Sequence, residues 1–167
     1  KMEDIMRRSK EANVTKIICI GTDIKSSILS IKLSEQYDSV YATVGVHPHD
    51  SKKVKKNYID ELKSLSKHPK VVGIGEIGLD YYYNYSNSTK QKKCFIEQIK
   101  LSIETGLPIV VHNRNADKDL LTILKKYRPK GVIHCFTGDE KMAAQIFDLG
   151  MIISFTGIVT FKNSNLI

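Results

Sequence analysis

No stretch of this chain approaches the roughly 20 consecutive apolar residues needed to cross a bilayer as a helix, so no membrane-spanning helix is expected. The first residues, KMEDIMRRSKEAN, are charged throughout and lack the apolar centre of a signal peptide, and a cytoplasmic protein is expected. Cysteine is scarce: Cys19, Cys94 and Cys135 are an odd number with no CxxC spacing, which excludes a disulfide framework and a zinc knuckle. Two of them fall in apolar strand-like runs and Cys94 sits beside Phe95 in a helical pattern, so all three are expected to be buried, reduced thiols. No glycine-rich nucleotide fingerprint opens a helix; GIGEIG carries its glycines inside a strand-like run, against a dinucleotide-binding fold. Internal repeats, low-complexity tracts and linkers are absent, leaving one domain over 1–167.

Acidic residues are also few, 18 against 26 Lys and Arg, and the net charge of +8 suits a polyanionic partner. Lysines spread over helix surfaces explain most of that charge. The run SKKVKKN (51–57) stands apart, because it follows a loop on the face where a site is expected and is suited to tracking a phosphate backbone.

What the sequence does contain is alternation. Short Val- and Ile-rich runs at 15–21, 39–46, 70–77, 108–112, 132–136 and 151–155 read as strands. Between them, 2–12, 23–36, a segment marked by Tyr58, Ile59, Leu62 and Leu65, then 89–105, 116–127 and 139–149 read as helices. In the second helix Ile24, Ile28, Ile31 and Leu33 supply the apolar positions; in the fourth, Phe95, Ile96, Ile99 and Ile103 form the expected core stripe. The class is α/β with a parallel sheet, either doubly wound or part of a (β/α)8 TIM barrel with about six of its eight βα units.

Three of the strands deliver chemistry where their apolar run stops: VVGIGEIGLDYY (71–82) presents Glu76, LPIVVHNR (107–114) presents His112 and GVIHCFTG (131–138) presents His134. Strand C-terminal ends gather on one face of such a sheet. A carboxylate in an apolar strand is costly unless it is paired or metal-bound. A carboxylate and two imidazoles converging there suit a divalent metal and hydrolysis. Glu76, with two oxygens, is the candidate to bridge two cations, and His112 and His134 are the candidate imidazole ligands. Cys135 is expected to point to the opposite side of its strand. His47 and His49 follow the second strand around Pro48, suited to phosphate contact or proton transfer, with packing or helix capping the alternative, more so for His49. Arg114 is placed to clamp a phosphate or to pair with Glu76, Asp80 or Asp119. Asp80 is placed to orient a ligand. Tyr81, Tyr82, Tyr83 and Tyr85 are suited to stacking on bases, with half of them expected to pack beneath their loop.

In order along the chain, GVHPH (45–49), GEIGLDYY (75–82), PIVVHxRxAxxDL (108–120), GVIHCFTG (131–138) and ISFTGIVTFKN (153–163) resemble the motifs of the TatD family of metal-dependent deoxyribonucleases. The resemblance implies an amidohydrolase-like TIM barrel and a pair of divalent ions, Mg2+ with Mn2+ or Zn2+ as alternatives. It further implies 3′-to-5′ exonuclease activity on single-stranded DNA, with RNA a further substrate. By the same resemblance Glu76 is the bridging carboxylate, His112 and His134 ligate the second metal, and His47, Asp80 and Arg114 lie at the site. The family pattern opens with an Asp-x-His-x-His strand and closes on a Glu-Thr-Asp strand end, and neither is in this sequence. The chain therefore resembles strands two to seven, and is expected to hold at most one metal weakly and to be nearly inactive. Two other readings remain open at this stage: hydrolysis of another ester or amide, such as a D-aminoacyl-tRNA, and nucleic-acid binding without catalysis.

Overall fold

The computed structural model describes residues 2–162. Six strands, β1 (Ile17–Cys19), β2 (Val40–Val44), β3 (Val71–Asp80), β4 (Ile109–Arg114), β5 (Gly131–Ile133) and β6 (Ile152–Ile153), form one sheet. Helices α1 (Met2–Glu11), α2 (Ile24–Gln36), α3 (Tyr58–Leu65), α4 (Ser88–Thr105), α5 (Asp117–Tyr127) and α6 (Glu140–Asp148) alternate with them. The strands are all parallel and lie in the order β1-β2-β3-β4-β5-β6. This sequential order decides between the two architectures. A doubly wound sheet reverses its order at a switch point, whereas a barrel adds each strand beside the last. The chain is a partial β/α barrel, with β1 and β6 as its edges among the described residues. None of its described helices is long and apolar enough to cross a membrane.

Register sorts the side chains onto two faces. Ile74, Ile77 and Leu79 of β3 share a face with Val44 and Ile109, the partners of Ile74, and with Val111, the partner of Ile77, and all six are fully buried. Against that face pack Leu62 of α3, Phe95 and Ile99 of α4, Leu120 and Leu124 of α5 and Ile146 of α6. Residues of the opposite face look into the barrel interior. There Gly78 pairs with His112 and Asp80 with Arg114. The register slips between Ile74 and Ile77, so that Gly75 and Glu76 form a bulge, the device that re-aims a side chain at a strand end.

Some sequence expectations are corrected here. Ile103 is exposed rather than core; α4 buries Gln91, Cys94, Phe95, Gln98, Ile99, Leu101 and Ser102 instead. Ile28 of α2 is likewise exposed, and that helix buries Ser27, Ser30, Ile31 and Ser34. Small serines let α2 lie close to the sheet: Ser27 Oγ accepts the Gly45 N–H and donates to the Asp23 carbonyl. Of the cysteines, only Cys94 is buried, Cys19 and Cys135 being partly exposed; all three are free thiols. The fifth strand stops at Ile133, leaving His134 and Cys135 in the following turn, where Cys135 has a left-handed φ of 49°. Asn163, the last residue of the fifth motif, lies outside the described residues.

Candidate metal centre

Each chemistry-bearing side chain is delivered by backbone that other residues hold in place. After β2 the chain runs into a short 3-10 turn, Pro48–Asp50, capped by His47, whose Nδ1 accepts the His49 N–H at 3.3 Å. Gln98, fully buried on α4, clamps the residue before it: its Oε1 accepts the Val46 N–H at 2.7 Å and its Nε2 donates to the Val46 carbonyl at 3.0 Å. One further span along the same helix, Gln91 does the same for Asp80. Its Oε1 accepts the Asp80 N–H at 2.8 Å, and its Nε2 donates to the carbonyls of Asp80 (2.8 Å) and Ser86 (2.6 Å). Gln91 and Gln98 are seven residues apart, hence on one helix face. Two buried amides on one helix thus fix two strand ends.

His47, His49 and His112 come together, with ligand atoms all within 4.8 Å of one another. Their rings contact edge to face, with centroids 4.3 Å apart for His47 and His49 and 4.6 Å for His47 and His112. Glu76 and Asp80 flank this group. His112 Nδ1 lies 3.2 Å from Glu76 Oε1, and His112 Nε2 lies 2.9 Å from Asp80 Oδ2. The same Asp80 oxygen is 2.8 Å from His49 Nε2, while its Oδ1 accepts the N–H groups of Tyr82 (3.0 Å) and Tyr83 (2.9 Å). Asp80 is therefore fully buried with both oxygens occupied, an outer carboxylate that orients two imidazoles. Gly78, opposite His112, has a φ of 140°, and a Cβ there would collide with the His112 carbonyl oxygen.

The electrostatics keep the carboxylates charged. Burial alone raises the Glu76 carboxyl, but the His112 hydrogen bond and the nearby charges of His47, His112 and His134 outweigh it and hold it below the usual range. Asp80 follows the same balance: burial pushes it up, while the Tyr83 N–H, His49 and His112 bring the net shift down. His112 is raised against the pull of burial, through Glu76 and Asp80. His47, pushed down to about 4 by burial and by the charge of His112, is neutral at neutral pH.

His134 sits outside the three-histidine group. Its N–H donates to the Val111 carbonyl at 2.8 Å, and it lines, with His112, Asn113, Arg114 and Asp117, a cavity of about 390 Å³ beside the centre. Cys135 lines this cavity too, its Sγ 3.0 Å from Thr156 Oγ1, rather than pointing away as expected. Arg114 makes no ion pair with Glu76, Asp80 or Asp119; its guanidinium lies 4.1 Å over the Tyr82 ring and 4.8 Å over the Tyr83 ring. Tyr82, Tyr83 and Tyr85 are all exposed, and only Tyr81 is tied down, through its hydroxyl to Asp119.

Three signals escaped the sequence. His49 joins the group as closely as His47, although packing or capping was the stronger alternative for His49 than for His47. Asn113 carries a buried Oδ1 with no hydrogen-bond partner among the described residues, at the edge of the cavity. The glutamine clamps had no sequence signal beyond their seven-residue spacing.

Imidazoles flanked by ionised carboxylates fit a divalent cation: they are its usual nitrogen and oxygen donors, and His49 and His112 are already braced by a buried carboxylate. Parallel β/α units in sequential order, with such a cluster beyond the strand C-termini, define the class: an amidohydrolase-like TIM barrel with a metal-suited group on its functional face. The chain belongs to the TatD related DNase family, whose profile matches residues 1–167. It is 39% identical over 166 residues to the uncharacterized metal-dependent hydrolase YabD of Bacillus subtilis, covering 98% of this chain and 65% of that protein. It is 34% identical over 160 residues to the 3′-5′ ssDNA/RNA exonuclease TatD of Shigella flexneri, covering 94% of this chain and 62% of that one. Among solved structures, the TatD homolog YJJV of Escherichia coli superposes with a TM-score of 0.89 at 30% identity, over 96% of this chain and 63% of that chain. The chain thus spans a little under two-thirds of the length of these relatives.

Proposed function

We propose that this chain forms the greater part of a metal-dependent 3′-to-5′ exonuclease acting on single-stranded DNA or RNA. The observation that carries the reading is Glu76 held 3.2 Å from His112 at the strand ends, His112 itself lining the cavity that Arg114 and His134 also line. Glu76, His112 and His134 are the proposed ligands, with His47 and His49 at the flank. The nitrogen-rich donors favour Mn2+ or Zn2+ over Mg2+, which prefers oxygen ligands. A divalent ion bound here supplies Lewis-acid polarisation of the phosphoryl group and acidifies water at neutral pH.

The chain's own residues do the rest. Arg114 offers a planar pair of donors to the non-bridging oxygens of the terminal phosphodiester. His47, neutral and half-buried, offers a hydrogen bond to the phosphoryl group without adding charge. Asp80 holds His49 and His112 in fixed orientation, so the imidazoles need no reorganisation when charge develops. In the reaction a P–O bond to water forms, the P–O3′ bond to the penultimate nucleotide breaks, and the proton lost by water is returned to the departing 3′ oxygen.

The test uses the full-length protein, 3′-labelled single-stranded DNA and each of Mn2+, Mg2+ and Zn2+. Metal-dependent release of mononucleotide, lost together with calorimetric metal binding on Glu76→Gln, is the expected result. Undiminished turnover or metal binding in Glu76→Gln rejects the assignment.

A further inference from the structure

A second cavity, of about 370 Å³, lies between the segment that follows the 3-10 turn and the start of α4. Its cationic lining comes from two elements: Lys52, Lys55 and Lys56 follow the 3-10 turn, and Lys90 and Lys93 belong to the first two turns of α4. Among the described residues, Lys52, Lys55, Lys56 and Lys90 have no carboxylate within salt-bridge distance. The cavity's one carboxylate, Glu97, is already engaged, accepting from the Tyr58 hydroxyl at 2.6 Å and lying 3.9 Å from Lys93. Like charges gathered from two elements repel, and a polyanion relieves that repulsion.

The cavity is joined to the centre by short links. Lys52 is three residues beyond His49, no more than about 11 Å of extended chain. The Lys52 N–H donates to Ser86 Oγ at 3.1 Å, and that hydroxyl donates to the His49 carbonyl at 2.9 Å. Tyr85, next to Ser86, is exposed, and its ring centroid is 4.8 Å from that of His49. Tyr83 and Tyr85 stack within 3° of parallel. A stacking surface therefore adjoins His49, on a loop that Ser86 ties to the start of the lysine segment, and stacking beside cationic groups is the combination by which proteins hold unpaired bases and their backbone.

We propose that the lysine cavity binds the phosphate backbone of a single-stranded polynucleotide whose 3′ end lies at Glu76. This rests on the nuclease reading and gives it a second subsite, upstream of the reacting bond.

The test is fluorescence anisotropy of labelled oligo(dT) and oligo(rU) on the full-length protein in EDTA, so that hydrolysis plays no part. Removing three cavity charges (Lys55→Ala, Lys56→Ala, Lys90→Ala) is compared with removing three remote ones (Lys125→Ala, Lys126→Ala, Lys141→Ala). The cavity variant is expected to weaken binding of one or both strands about 10-fold at low salt. Its salt slope should fall by about 2, since each phosphate contact contributes roughly 0.7 on a single strand. The remote variant should change binding less than about 2-fold at the same salt. Equal weakening in both variants, or no weakening in either, overturns the proposal. Binding through these lysines without nucleotide release under any cation keeps the subsite and rejects the nuclease reading; nucleotide release with cavity-independent binding does the reverse.

Discussion

Replacing Gln91 by leucine isolates the contribution of a clamp that touches no proposed ligand directly. The side chain is fully buried and makes three hydrogen bonds, two to the Asp80 backbone and one to the Ser86 carbonyl. Leucine is close in size, so packing is nearly conserved and the loss is polar. The Asp80 N–H and two carbonyls are left buried without partners, at about 1–3 kcal/mol for a group that finds no substitute. With partial relaxation the cost comes to about 2–4 kcal/mol. A domain of this size loses about 2–4 °C of Tm per kcal/mol, so the midpoint should fall by roughly 5–15 °C in scanning calorimetry. Metal affinity should weaken in parallel, because Asp80 orients both His49 and His112. Gln145→Leu, whose side chain is only partly buried and bonded only to Lys125 and a helix carbonyl, should stay within about 0.5 kcal/mol of wild type. A Gln91→Leu midpoint within about 2 °C of wild type would refute the reasoning.

Other consequences can be measured with the same instruments. Asp23 caps α2, accepting the Ser26 N–H at 2.6 Å, and Asp23→Ala should cost about 1 kcal/mol. That hydrogen bonding holds the Asp23 carboxyl below its ordinary value, so its contribution is complete above about pH 4 and is lost as pH falls through the depressed value. The Tm gap between Asp23→Ala and wild type should therefore narrow between about pH 6 and about pH 3, and a constant gap contradicts this account. Gly78→Ala forces a methyl group into the His112 carbonyl at a φ of 140° and should cost about 2–5 kcal/mol. Gly106→Ala, at a φ of 72° but with open space around it, should cost only about 1 kcal/mol. Urea titrations that rank the two glycines the other way would reject the close approach of β3 and β4.

The alternation of elements was legible because each apolar run is bounded by a polar or glycine-containing segment, and each run became a strand. Choosing a barrel over a doubly wound sheet required the spatial order of strands, which no local pattern encodes. The meeting of Glu76 and His112 was legible from their places at strand ends, though the bulge at Gly75 and Glu76 was not: apolar alternation looks continuous across it. His134 and Cys135 were read as strand because apolar residues flank the histidine of VIHCF on both sides. The left-handed turn at Cys135 shows only in the backbone, and it carries Cys135 into the cavity. On α4 the error has a simple cause. Its buried face runs through Gln91, Cys94, Phe95, Gln98 and Ser102, and polar members of that stripe disguise its phase. A reading that scores only hydrophobicity selects Ile103, which points to solvent.

The two clamps on α4 also predict an order of events during folding. Gln91 reaches Asp80 across 11 residues, whereas Gln98 reaches Val46 across 52. By loop-closure entropy the second ring costs roughly 1.4 kcal/mol more to close than the first. The β3–α4 unit, carrying Glu76 and Asp80, can thus form from neighbouring sequence before β2 docks. His47 and His49 then arrive with that docking, onto a carboxylate frame already in place. In reverse, a partial opening that releases Val46 from Gln98 carries away two imidazoles and leaves Glu76, Asp80 and His112 paired. Slow amide exchange at Asp80 and faster exchange at Val46 would be the kinetic trace of that sequence.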